Sequence, residues 1–118
     1  IQEGLNRAGG ILSEFTVAPQ VSPKEGLPYH EWFIEFTEEP YDLENFAQAL
    51  DQSLQSQNVY YRDLIQGNIL SRAKISRIKK DGFKSYMQSI GKLGGQNKVP
   101  RLSNDRKIAD GLTPFLIS

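Results

Sequence analysis

The chain has 118 residues, of which 38% are hydrophobic and 10% aromatic, and its formal net charge is zero. That size sets one domain with a modest core, and the apolar content excludes a disordered chain. With no cysteine and one histidine, disulfides, thiolate metal sites and a Cys nucleophile are excluded, and a His-based zinc site or Ser-His-Asp triad has little to build on.

Residues 1–9 place Ile1, Leu5 and Ala8 on one helical face, which Gly9-Gly10 would end. Ile11 to Val17 then alternates as a strand, with Ile11, Ser13, Phe15 and Val17 on one face. Ala18-Pro19 to Pro28 reads as a loop of turn formers. Tyr29 to Phe36 is the strongest strand pattern, with His30, Trp32, Ile34 and Phe36 as its apolar face, to be covered by helices. His30 on that face reads as a structural group.

Asp42 is placed to cap a helix carrying Leu43, Phe46, Ala47, Leu50 and Leu54 to about Gln57, where Asn58 ends it. Tyr60, Tyr61, Leu64 and Ile65 repeat helical spacing up to Gly67-Asn68, and core packing is the default for the tyrosine pair. Ala73 to Lys79 is a third strand, with the charged residues of a sheet edge. Asp81-Gly82 turns the chain into a helix with Phe83, Tyr86, Met87 and Ile90 inside, reaching Leu93. Ser103 or Asn104 caps a last short helix with Ile108, Ala109 and Leu112 inside, ending at Gly111 and Pro114. The final five residues either dock or fray.

The expected fold is therefore α+β, in a mixed α/β arrangement, with a small sheet of three to four strands and helices packed on it. The first two strands pair antiparallel, and the third returns after a helical crossover to pair on either side. No apolar run reaches the ~20 residues of a bilayer span, and Ile1-Gln2-Glu3 starts without a basic or apolar leader. These features give the expectation of a cytoplasmic domain with no membrane partner. A start without Met suggests a piece of a longer protein.

The zero net charge hides an asymmetry. Residues 1–70 sum to −8 and residues 71–118 to +8. Two arrangements follow: one basic face suited to an anion, or halves that interleave and neutralise each other.

Candidate chemistry narrows to one stretch. Glu31 and Glu35 lie roughly 13 Å apart along a strand, too far for a glycosidase pair. Walker A, EF-hand and dinucleotide patterns are absent, and Gly91-Lys92-Leu93-Gly94-Gly95 lacks the G-x-G-x-x-G order. In Gly94 to Arg101, two glycines allow close backbone approach and Pro100 stiffens the chain. Lys98 and Arg101 offer charge, and Gln96 and Asn97 offer side-chain amides. Such groups stabilise charge on phosphate oxygens. The competing reading is a helix C-cap followed by a solvated basic turn. Nucleic acid is a weaker ligand for the basic half, because no reader motif or interleaved exposed aromatics accompany Arg72, Lys74, Arg77, Lys79 and Lys80.

The run Gly91 to Arg101, with Gly94-Gly95-Gln96-Asn97-Lys98-Val99-Pro100-Arg101 at its centre, closely resembles the late signature of the auxin-responsive Gretchen Hagen family of acyl acid–amido synthetases, in its bacterial form. Tyr29-His30-Glu31-Trp32 with Ile34-Glu35, the Leu50-Asp51 helix leading to Asn58-Tyr60-Tyr61, and Gly82-Phe83 extend the likeness over most of the chain. The resemblance implies an adenylate-forming ligase. Such a ligase uses ATP and Mg²⁺ to activate an acyl acid, then passes the acyl group to an amino acid. It implies that residues 1–118 are the mobile C-terminal lid domain alone, without the N-terminal adenylation domain. Lys98 then matches the catalytic lysine that enters the closed site. Gln96, Asn97 and Arg101 lie near substrate or nucleotide, Gly94 and Gly95 serve as the loop hinge, and no protein metal ligand is expected. ATP and Mg²⁺ belong to the parent enzyme and not to this domain alone, which is expected to be inactive. The partners implied are the N-terminal domain of the same chain, an acyl acid and an amino acid. The alternative reading is a standalone anion- or nucleic-acid-binding module that uses the basic second half.

Overall fold

The computed structural model describes residues 11–21, 26–90, 102 and 105–117. Among them are strands β1 (Ile11–Gln20), β2 (Tyr29–Glu38) and β3 (Lys74–Arg77), and helices α1 (Leu43–Gln57), α2 (Val59–Gln66), α3 (Gly82–Ser89) and α4 (Lys107–Leu112). A 3₁₀ turn, Thr113–Phe115, follows α4. The sheet order is β1-β2-β3, with β1 antiparallel and β3 parallel to the central β2. The α+β expectation holds, and the parallel β3 settles which side the crossover returns to. The expected helix over residues 1–9 lies outside the described residues.

β1 is longer than expected. It runs through Ala18 and Pro19, which pair with Glu31 and His30, where the turn-former count predicted a loop. β1 lies at the end of the sheet order, and edge strands tolerate proline because one side of their ladder is open. Register shifts at Leu12 and Glu14 insert an irregularity near Ser13. They put Leu12, and not Ser13, with Phe15 against the apolar cluster.

β2 is buried on both faces, which the alternation pattern did not predict. Trp32 and Ile34 pack with Val17 and with Phe46 and Leu50 of α1. Phe33 points the other way, against Ala18, Ile78, Phe83 and Tyr86 of α3, and Ala109 and Leu112 of α4. The sheet is thus a middle layer between helices. Phe33, Ile34, Phe46 and Leu50 are essentially inaccessible to solvent. Each such side chain contributes about 1.5–3 kcal/mol of burial.

The helix signals acted as read. Asp42 Oδ1 accepts from Glu44 N at 3.0 Å and Asn45 N at 3.2 Å. Asn58 closes α1 and also caps α2, accepting from Tyr60 N at 3.0 Å and Tyr61 N at 3.2 Å. α3 ends at Ser89, and the expected extension to Leu93 falls outside the described residues. α4 starts at Lys107, where Asp105 Oδ1 accepts the Lys107 N–H at 3.0 Å. Ser103 and Asn104, the predicted caps, lie outside the described residues. α4 ends at Leu112, one residue past Gly111, and Pro114 lies in the 3₁₀ turn that follows. The final turn docks on the sheet: Lys79 N donates to Phe115 O at 2.8 Å, and Ile117 N donates to Arg77 O at 2.9 Å. With the Ile78↔Leu116 bridge, this supplies a rudimentary fourth strand beside β3.

Candidate functional site

Gly94, Gly95, Gln96, Asn97, Lys98 and Arg101, the residues singled out by sequence, lie outside the described residues. Their neighbours are placed. Ile90 closes α3, and Leu102 forms a parallel bridge with Val17 on the open edge of β1. Arg106, just before α4, pairs with Glu31 Oε1 at 2.9 Å and lies over the Phe33 ring. Glu31 also accepts from the Ser76 hydroxyl, so β2, β3 and the entry to α4 meet at one carboxylate.

Beside Leu102 lies a cavity of about 380 Å³. Its sheet wall is Phe15 and Val17 of β1 with His30 and Trp32 of β2, brought onto one face by the Val17↔Trp32 and Pro19↔His30 register. The opposite wall is Leu54, Asn58 and Tyr61, at the junction of α1 and α2. Two stacked pairs stiffen it: Phe15 on Trp32 at 5.3 Å, and His30 on Tyr61 at 5.9 Å between ring centroids. Burial pulls the His30 pKa below its ordinary 6.5, so the imidazole is neutral near pH 7. The Trp32 indole Nε1 is buried and finds no hydrogen-bond partner among the described residues.

Behind Tyr61 lies a buried polar knot that periodicity alone did not reveal. Asp51, on α1, accepts from the Tyr61 hydroxyl, from Ala73 N at 3.0 Å and from Gln55 Nε2 at 2.6 Å. Arg72 Nε stands 3.9 Å from its second oxygen. The Tyr61 pKa is raised well above 10.0, first by burial and then by the hydrogen bond to Asp51. Tyr60 points outward, 79% exposed, so only one of the tyrosine pair packs inside. Among the described residues, no group of three or more His, Asp or Glu side chains converges to hold a metal ion.

A second carboxylate is also committed. Glu35 is buried and accepts from Asp81 N at 3.0 Å and Phe83 N at 3.2 Å, which caps α3 from the sheet. Asp81 itself sits in the left-handed region, with φ of 61°, and makes no side-chain cap.

Comparison with known proteins fits this architecture. A family model described as "GH3 family C-terminal domain" matches residues 1–107. A solved structure of "GH3.15 acyl acid amido synthetase" superposes with a TM-score of 0.75 over 98% of this chain, at 19% identity. "AtGH3.15 acyl acid amido synthetase in complex with 2,4-DB" gives 0.74 over 98% of this chain, at 17% identity. At these identities the likeness is one of fold. The chain spans 21% and 22% of the length of those two structures. No curated protein matches the sequence.

Proposed function

The chain belongs to the GH3 family, as its C-terminal domain, and from that premise we propose that it serves an ATP-dependent acyl acid–amido synthetase. In this reading it closes over an N-terminal adenylation domain of the same protein. It assists formation of the acyl-adenylate and then transfer of the acyl group to an amino acid. The observation that carries the reading is the family match over residues 1–107, which contains Gly94 to Arg101 in full.

Within this reading Lys98 is the catalytic group, supplying positive charge to phosphate oxygens as adenylate forms. Gln96, Asn97 and Arg101 neighbour substrate or nucleotide, and Gly94 and Gly95 form the hinge. Among the described residues no group of three or more metal-ligating side chains converges, and Mg²⁺ is expected to be held by the larger protein. The domain's own contribution is rigidity. The Val17↔Leu102 bridge and the Arg106–Glu31 pair fix the chain just after the lysine-bearing stretch.

The test is ATP–pyrophosphate exchange driven by a panel of acyl acids. The 118-residue chain alone is expected to give none, and the longer protein carrying it is expected to give exchange. A longer protein that exchanges with no acid, while the chain alone binds RNA with a steep salt slope, would favour a nucleic-acid module instead.

A further inference from the structure

We propose that Glu31 and Arg106 are positioning residues for the reaction: they hold the segment that follows Lys98, and through it they set where the lysine acts. Their role rests on the synthetase reading and on the part given to Lys98 there. The first anchored position after Lys98 is Leu102, four residues on, which bridges Val17 of β1. The second is Arg106, whose Nη1 lies 2.9 Å from Glu31 Oε1 on the central strand. Both anchors reach the same corner of the sheet, because Glu31 pairs with Ala18, the residue after Val17. Four residues of any chain span at most roughly 14 Å, so where Leu102 is held limits where Lys98 is delivered.

The pair is better suited to fixing direction than to adding stability. α4 docks without it: Ala109 and Leu112 are buried in one cluster with Phe33 and Tyr86, and Asp105 accepts the Lys107 N–H. A half-buried ion pair gives back in desolvation much of what its attraction supplies, so its net contribution to stability is small. The Glu31 side chain is 15% exposed and that of Arg106 29%, so solvent screens the attraction less than at an open surface. The carboxylate is itself held, because the Ser76 hydroxyl of β3 donates to Oε2. The guanidinium is confined from another side by the Phe33 ring, 5.7 Å from its centroid. The contact is an ion pair by distance, and Arg106 Nη1 makes no aligned hydrogen bond among the described residues. Charge and the ring face therefore orient the arginine, and with it the chain entering α4.

The experiment uses the longer protein that carries this chain. ATP–pyrophosphate exchange is driven by the fastest acid of a panel of aromatic and straight-chain carboxylic acids, and rates are taken per folded enzyme. The variants are Glu31→Gln, Arg106→Gln, Lys98→Ala, and each of the first two combined with Lys98→Ala. Glu31→Gln and Arg106→Gln are each expected to lower the rate about tenfold, because small misplacements of a reacting group are costly. In the Lys98→Ala background the same substitutions are expected to change the rate by less than about twofold, since the group they position is gone. A general loosening of the fold would lower the rate by the same factor in both backgrounds, so equal factors overturn the proposal. So does an unchanged rate in Glu31→Gln while Lys98→Ala is slow. An unchanged rate in Lys98→Ala is a separate outcome: it removes the lysine assignment of the synthetase reading, and the positioning role with it. If only one of Glu31→Gln and Arg106→Gln folds, that variant decides. If neither folds, the pair is a stability element and the proposal is overturned.

Discussion

Asp51 shows how much one buried carboxylate organises. It lies mid-helix on α1 and collects donors from residues 10 and 22 positions further along the chain. Asp51→Ala removes the acceptor from the buried Tyr61 hydroxyl and one of the two acceptors of the Ala73 N–H, which keeps the Tyr61 oxygen at 3.2 Å. The expected loss is about 3 kcal/mol, measured by urea denaturation. Tyr61→Phe removes only the hydroxyl and should cost about 1–2 kcal/mol. Tyr61 also sets an alkaline limb. Its folded pKa is raised, so its contribution is complete below pH 10.0 and is lost as pH rises above that value. In Tyr61→Phe that part of the alkaline loss should disappear. His30 acts at the other end. Its folded pKa is depressed, so its contribution is present above 6.5 and lost as acid protonates the unfolded chain first. As the only histidine, it is the sole source of any histidine-linked fall. His30→Phe should flatten the fall of the denaturation midpoint as pH drops below 6.5, and an unchanged slope would contradict the burial argument.

At the scale of elements, local chemistry was legible where it acts on near neighbours. Asp42, Asn58 and Gly67 sit at helix ends because their groups satisfy backbone atoms within a few residues. Alternation predicts the strand from Tyr29 onward and places Phe33 correctly on the second face. What it could not supply is the cover for that face, because α3 and α4 come from 45 or more residues later. Glu35 and Asp51 were opaque for the same reason: their partners are distant in sequence. Gly111 is the clearest case. It reads as a helix stop and stands next to last in α4, but the sequence does not show that an added Cβ there would lie 2.5 Å from Tyr86 Cε1. Gly111→Ala should destabilise the chain by about 1–3 kcal/mol despite alanine's better helix propensity, because the buried Tyr86 ring must move. A thermal melt that shows stabilisation would contradict that packing. Glu35→Ala should cost about 1–3 kcal/mol by leaving the Asp81 and Phe83 N–H groups without their acceptor.

At the scale of the molecule, the two oppositely charged halves meet at three ion pairs among the described residues. Arg72 meets Asp51, Arg77 meets Glu39 at 3.4 Å, and Arg106 meets Glu31, each pair joining the basic half to the acidic one. Among the described residues, three arginines of the basic half are therefore matched by carboxylates of the acidic half. The fold was legible as a class, and the family signature was legible in Gly94 to Arg101. The cavity was not, because its walls come from four elements and gather only in three dimensions. The role proposed for this domain is to carry Lys98 to a site built elsewhere in a larger protein. Its most direct test is Lys98→Ala in that larger protein, with the adenylation rate and the melting temperature measured together. The expected result is a rate lower by about 10²-fold with an unchanged melting temperature. An unchanged rate would contradict it.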